Sequence, residues 1–234
     1  MWWLALIIVA VIMIALVVVA VVKGINHDKG DYKDGGGTQV GGEERIPFFA
    51  PGNEKAGMRG EKHVNYHLRP LLREDEYLLA NVLLPLKNGH KTEIDCILIS
   101  RKGVFCVETK NWVGHIRGCD EDEYWVQKYD DPYKPNREHR NPVMQNQDHC
   151  EILERKLDGK YNVANIVIFA KIGFNLGVDS KYAYTINEFK NYYRGLNDKL
   201  FLPDITFVFE RLKKYVASDE ELRKHREDTH NRFN

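Results

Sequence analysis

No Cys-x-x-Cys pair occurs among Cys96, Cys106, Cys119 and Cys150, and their spacing matches no zinc-site pattern. With three of the four in or beside apolar runs, the thiols read as small buried side chains in a reducing compartment. Asn-x-Ser/Thr is also missing, which points the same way. No Gly-x-x-x-x-Gly-Lys-Ser/Thr phosphate loop is present, so an ATP-driven motor within this chain is excluded. Charge of one sign is not in excess: Lys plus Arg and Asp plus Glu are both 34. No global basic field can therefore hold nucleic acid, and any such binding needs a local patch or a metal.

Trp2 to Val22, by contrast, is an unbroken run of 21 apolar side chains without Gly, Pro or charge. As a helix it would be about 32 Å long, the thickness of a bilayer core. A cleaved leader would start with basic residues, carry a shorter apolar stretch and end at a small-residue site. Here no Lys or Arg precedes residue 23, and the run reads as an anchor. Lys23, Lys29 and Lys33 follow it, so the positive-inside rule puts the rest of the chain in the cytoplasm, with Trp2 and Trp3 at the opposite interface. From Lys23 to Gly52 the mixed charges, glycine runs and prolines read as a flexible tether.

Periodicity then becomes informative. Glu61, Val64, Leu68, Leu71 and Leu72 fall on one face of a helix predicted over Asn53 to Leu72. Three strand-like runs follow, Tyr77 to Leu86, Thr92 to Ser100 and Val104 to Lys110, with short turn-rich joints that imply an antiparallel meander. In the second run Asp95 shares a face with Ile97 and Ile99; in the third Glu108 and Lys110 share one with Val104 and Cys106. A short strand at Tyr124 to Lys128 precedes a polar loop. Asn141 as N-cap and Pro142 at the first position open a helix to about Leu157. Val163 to Ala170 reads as a buried strand, and Ala183 to Ile186 as another ahead of a helix from Asn187. Ser218 with Glu221 forms a capping box for the last helix. Helix, meander, helix and strand in that order describe an α/β sandwich.

An acid on one strand, acid-x-Lys on the next and an acid on the preceding helix form a recurring arrangement for phosphodiester hydrolysis. Two carboxylates suit Mg²⁺, which prefers oxygen ligands and keeps waters. A neighbouring ammonium can orient the attacking water or neutralise developing charge. Glu108 and Lys110 point to the same side of their strand, with the Thr109 carbonyl offered between them. Exposed Glu-x-Lys pairs are usually surface ion pairs. What distinguishes this one is its place at the end of Val-Phe-Cys-Val, beside Ile94-Asp95 and Gly60-Glu61. The aromatic and basic stretch Tyr124, Trp125, Tyr129, Tyr133, Lys128, Lys134, Arg137 and Arg140 could grip a nucleic-acid backbone, but reads first as a solvated loop with a few core aromatics. Trp112 reads as a packing residue.

Gly60-Glu61, Glu93-Ile94-Asp95, the run Gly103 to Trp112 with Gly114, and Asn141-Pro142 with Gln145 and His149 resemble the nuclease-related domain family, a branch of the restriction-endonuclease-like superfamily. The resemblance extends from about residue 54 to 170. It implies a restriction-endonuclease-like α/β/α sandwich with a mixed central sheet, here preceded by one N-terminal transmembrane helix. It also implies a Mg²⁺ or Mn²⁺ held by Asp95 and Glu108 with Thr109, catalytic support from Lys110 and Glu61, and phosphate or water positioning by Gln145. Cys96 stands where family members often carry His; pointing away from Asp95, it should affect packing more than chemistry.

The expected organisation is an anchor over 1–22, a linker over 23–52, the nuclease-related domain over 53–217 and a helical tail over 218–234. The expected activity is that of a membrane-anchored, metal-dependent nuclease acting on nucleic acid, DNA in the first instance. The alternative is a non-catalytic, membrane-tethered nucleic-acid-binding or scaffold protein that keeps the fold, since a fold does not by itself establish a function.

Overall fold

The computed structural model describes residues 37–41, 52–171 and 176–233, and side chains within these except at 52–54 and 233. The apolar run Trp2 to Val22, with its expected membrane role, lies outside the described residues. No helix among the described residues is long and apolar enough to cross a membrane.

The chain forms a mixed α/β fold on two mixed sheets. The larger has six strands: β1 (Thr38–Val40), β2 (Tyr77–Pro85), β3 (Lys91–Ser100), β4 (Gly103–Lys110), β8 (Val163–Phe169) and β10 (Ala183–Thr185), hydrogen-bonded in that order. β2, β3 and β4 are the expected antiparallel meander, whereas β8 runs parallel to β4, Glu108 facing Val167 across the ladder. Only a crossover can join parallel neighbours. It includes helix α2 (Pro142–Lys156), which starts where the sequence places it: Asn141 Oδ1 accepts from the Val143 amide and Pro142 occupies the first turn.

Helices cover both faces of this sheet. On one side α1 (Gly52–Leu68) and α3 (Ile186–Gly195) bury Val64, Leu68, Phe189 and Tyr193 against Leu78, Leu98, Phe105 and Ile168. On the other, α2 and α4 (Leu202–Leu212) bury Cys150, Leu153, Ile205 and Val208 against Leu79, Ile97, Ile99 and Cys106. Each such aliphatic side chain contributes about 1.5–3 kcal/mol relative to leaving it exposed. Cys96, Cys106 and Cys150 are buried, Cys119 is half-buried, and all four are free thiols.

Two elements depart from the sequence reading. Thr38–Val40 lies within the stretch read as a tether, yet it pairs with β2 as a parallel edge strand. The stretch around Tyr124–Lys128 is not one strand and a loop. β5 (His115–Cys119), β6 (Tyr124–Lys128), β7 (Arg137–Arg140) and β9 (Gly177–Asp179) make a second sheet in the order β7-β6-β5-β9. Its inner side buries Ile116 and Trp125 against Val143, Val167 and Phe169. Trp125 is wholly enclosed, so it is a core residue and not a base platform, while Tyr133 is 94% exposed. Trp112 stacks on His139 at 4.2 Å between ring centroids and meets Phe169 edge-on, as a packing residue would. The last helix, α5 (Asp219–Phe233), begins with the expected box: the Glu221 amide donates to Ser218 Oγ, and Glu221 Oε2 accepts from the Ser218 amide.

Candidate active site

The site lies where the C-terminal end of β4 meets the first half of β3, so the antiparallel register brings acids from the two strands to one end of the sheet. β3 is irregular there. Ile94 and Ile97 both pack on the α2 side although they are three residues apart, so strict alternation fails between them. The break falls at Asp95 and at Asn81, which stands opposite it between the Ala80–Cys96 and Val82–Ile94 pairs and has φ 57°. Asn is among the residues that most readily adopt that left-handed conformation. Asp95 is thereby turned toward β4, where the Thr109 amide donates to its Oδ2 at 2.8 Å. Of Thr109, expected to offer its carbonyl, the amide is what meets Asp95; its hydroxyl is buried without a hydrogen-bond partner.

Glu108 is 5% exposed and bonded on one oxygen from two sides. Lys110 Nζ donates to its Oε1 at 2.6 Å and Gln145 Nε2 at 3.0 Å, while Gln145 Oε1 accepts from Lys110 at 3.2 Å. Lys110, Glu108 and Gln145 are therefore a closed triangle, fixed by strand spacing on one side and the first turn of α2 on the other. His149, one turn further along α2, has Nδ1 3.8 Å from Glu108 Oε2 and Nε2 3.1 Å from Thr92 Oγ1.

Glu61 arrives from α1. Gly60 lets that helix approach: a Cβ there would lie 2.8 Å from Asn111 Cβ and 3.3 Å from that of Ala170. The same seam is closed by Asn111 Nδ2, which donates to the Ala56 carbonyl at 2.7 Å. Gly114, φ 87°, is a second necessary glycine, since a Cβ would fall 2.1 Å from the Lys128 carbonyl oxygen.

Glu61, Glu93, Asp95, Glu108, Gln145 and Arg226 line one open cavity of about 280 Å³. Burial, then the charges of Glu108, Glu61 and Glu93, hold the Asp95 carboxyl well above the usual carboxylate range. Burial alone would pull the Lys110 ammonium down, but Glu108, with Asp95 and Glu61 behind it, outweighs that and keeps it above its ordinary value. His149 is pushed down, first by burial, and near neutral pH it is an uncharged imidazole, so its approach to Glu108 is not an ion pair.

All of the residues singled out in the sequence thus meet, Thr109 through its backbone. Besides His149, to which the sequence reading assigns no role, three others belong to the site and were not assigned to it. Glu93 lies two residues from Asp95, a spacing that could have suggested it. Arg226 of α5 grips Glu93 through Nη2 at 2.6 Å and Nε at 3.2 Å, and reaches Glu61 at 3.4 Å; nothing local in the sequence ties it to them. Asn146, fully buried behind Glu108, donates to the carbonyls of Cys106 and Ile166 and to Asn165 Oδ1, and accepts from the Cys106 thiol.

Asn146 ties α2 to both β4 and β8. Asn146→Ala would leave Asn165 Oδ1 buried without its donor, at about 1–3 kcal/mol, and remove the added side-chain bonds to two carbonyls that also belong to the β4–β8 ladder, at about 0.5–1.5 kcal/mol each. A fall in melting temperature of roughly 6–12 °C is expected from a net loss of about 3 kcal/mol. A shift under about 2 °C would mean that the network adds nothing to stability.

The donor set suits a hard divalent cation: four carboxylates on one cavity wall, offset among the described residues by Arg226 in the wall and by Lys110 beside Glu108. Among the described residues, no three His, Cys, Asp or Glu side chains already stand as a coordination shell. Asp95 Oδ1 and Glu108 Oε2 are the oxygens left without the bonds described above.

Residues 56–170 match the family model described as the nuclease-related domain. An uncharacterized protein of Bacillus anthracis is 26% identical over 183 residues, which cover 76% of this chain and 85% of that protein. No solved structure matches the chain.

Proposed function

From a chain whose residues 56–170 form a nuclease-related domain, we propose a metal-dependent hydrolase of phosphodiester bonds in nucleic acid, DNA in the first instance. We read the run α1, β2, β3, β4, α2, β8 as a restriction-endonuclease-like α/β/α sandwich. The observation that carries the reading is the convergence of Glu61, Asp95 and Glu108 on one cavity with Lys110 locked beside them. An exposed Glu-Lys pair has no need of that arrangement, and a scaffold would have no reason to bear the repulsion among its acids.

Asp95 and Glu108 would hold a Mg²⁺ or Mn²⁺, with Glu61 at the rim. Such an ion would polarise the phosphate and make water acidic enough to attack it. The chain's own groups do the rest. The Thr109 amide fixes the Asp95 carboxylate in one orientation. Lys110 remains an ammonium and is held by Glu108 and Gln145, so it offers a fixed positive charge where negative charge builds in the transition state. Gln145, whose amide is already oriented by those two neighbours, is placed to donate to a phosphate oxygen or to the attacking water.

We place this activity on a membrane, with Trp2 to Val22 as the anchor and the catalytic part on the cytoplasmic side; the length of the run and the lysines after it support this. The purified chain should cleave plasmid, linear or single-stranded substrates with Mg²⁺ or Mn²⁺ and not with EDTA. Equal cleavage in EDTA, or none on any substrate, would remove the hydrolytic reading in favour of the scaffold.

A further inference from the structure

A cavity walled by four carboxylates repels a polyanion, and Lys110 is already committed to Glu108. Phosphates flanking a scissile bond would need cations from elsewhere, and a chain with no net charge supplies them only locally.

Such a place adjoins the acid cavity. A groove of about 790 Å³ runs between the start of β3 and the inner face of α5, and shares Glu93, Gln145 and Arg226 with the cavity, so the two are continuous. α5 is oriented by Leu222, wholly buried, and Arg226 one turn later falls on the same side of the helix. Lys91, Arg226 and Arg232 line the groove against the single carboxylate of Glu93. Arg226 is held by Glu93, whereas Arg232, among the described residues, donates within its own helix, to the Asp228 carbonyl and Thr229 Oγ1. Lys91 has Glu221 within electrostatic reach but makes no ion pair among the described residues. Its lining holds the imidazoles of His90, His149, His225 and His230 but no Phe, Tyr or Trp, so small rings are all it offers a base to stack on, and its cations suit a backbone.

We propose that the groove between β3 and α5 is a track for the phosphodiester backbone of nucleic acid, leading into the acid cavity, with Lys91 and Arg232 as its phosphate-binding cations. The proposal rests on the hydrolase reading for its substrate class, yet α5 lies beyond the matched residues 56–170.

The test is binding without turnover: full-length chain in EDTA, with labelled thymidine and adenine oligonucleotides about 20 nucleotides long, followed by fluorescence anisotropy across a salt series. Lys91→Ala and Arg232→Ala should each weaken binding and lower the slope of log K against log salt by about 0.7, adding in the double variant, equally for both oligonucleotides. Thermal melting of the same samples reports whether each variant is folded. A double variant that is folded and keeps the wild-type slope overturns the track, as does a wild-type chain that binds neither oligonucleotide at low salt. Slopes that fall as expected in a chain that cleaves nothing would uphold the track and remove only the hydrolytic reading.

Discussion

Asp95→Asn should bring metal-dependent cleavage to background while the protein becomes more stable. The amide keeps the shape of the carboxylate and can still accept the Thr109 N–H at the position of Oδ2. It loses the anionic charge that a hard dication requires, so metal affinity falls with activity. The stability gain follows from the same crowding of acids. Burial and Glu108, Glu61 and Glu93 raise the folded-state pKa of Asp95 above its unfolded value. The folded chain therefore holds a proton there that the unfolded chain has released, and stability falls as pH rises through that window. An amide never ionises and escapes the loss. Without divalent metal, the variant should gain on the order of 1 kcal/mol at neutral pH, roughly 2–4 °C in melting temperature. The difference should fade at pH about 4, near the unfolded pKa. A variant that melts lower than wild type at neutral pH would show that Asp95 is a structural carboxylate.

Lys110→Ala should cost activity by a different route. Its ammonium lies 2.6 Å from Glu108 and is kept charged by the acids around it. Removing one preorganised charge-stabilising donor typically lowers turnover by about 10²–10³-fold. Metal affinity should hold or improve, because Glu108 Oε1 is released from its ammonium partner. Loss of turnover with retained metal binding marks a group that acts mainly in the transition state. Equal losses in both would instead make Lys110 a residue that only shapes the metal site.

The central part of this fold is legible in the sequence because three periodic signals agree. The 3.6 spacing of Val64 and Leu68, the apolar runs of β3 and β4, which are buried on both faces of the sheet, and the Asn141-Pro142 start of α2 each describe a packed element. What stayed hidden has weak or distant signals. β7 is Arg-Glu-His-Arg, with no apolar alternation to betray a strand. β5 buries only Ile116, and its partner β9 has three residues. Thr38–Val40 is held by residues distant in sequence, through its pairing with Tyr77 to Leu79 and the packing of Val40 on the core. At the site, the residues of β3, β4 and α2 announce themselves because local spacing aims them to one side. Even there, the kink at Asp95 is not written in the alternation, since it depends on Asn81 across the ladder. Arg226 lies 133 residues from Glu93 and 165 from Glu61, and only the docked helix brings them together.

The claim that these acids form a metal site is tested most directly by calorimetric titration of the purified chain with Mn²⁺. A single saturable site is expected in the wild type, lost in Asp95→Asn and retained in Lys110→Ala. No binding in the wild type, or a site that survives Asp95→Asn unchanged, would contradict it.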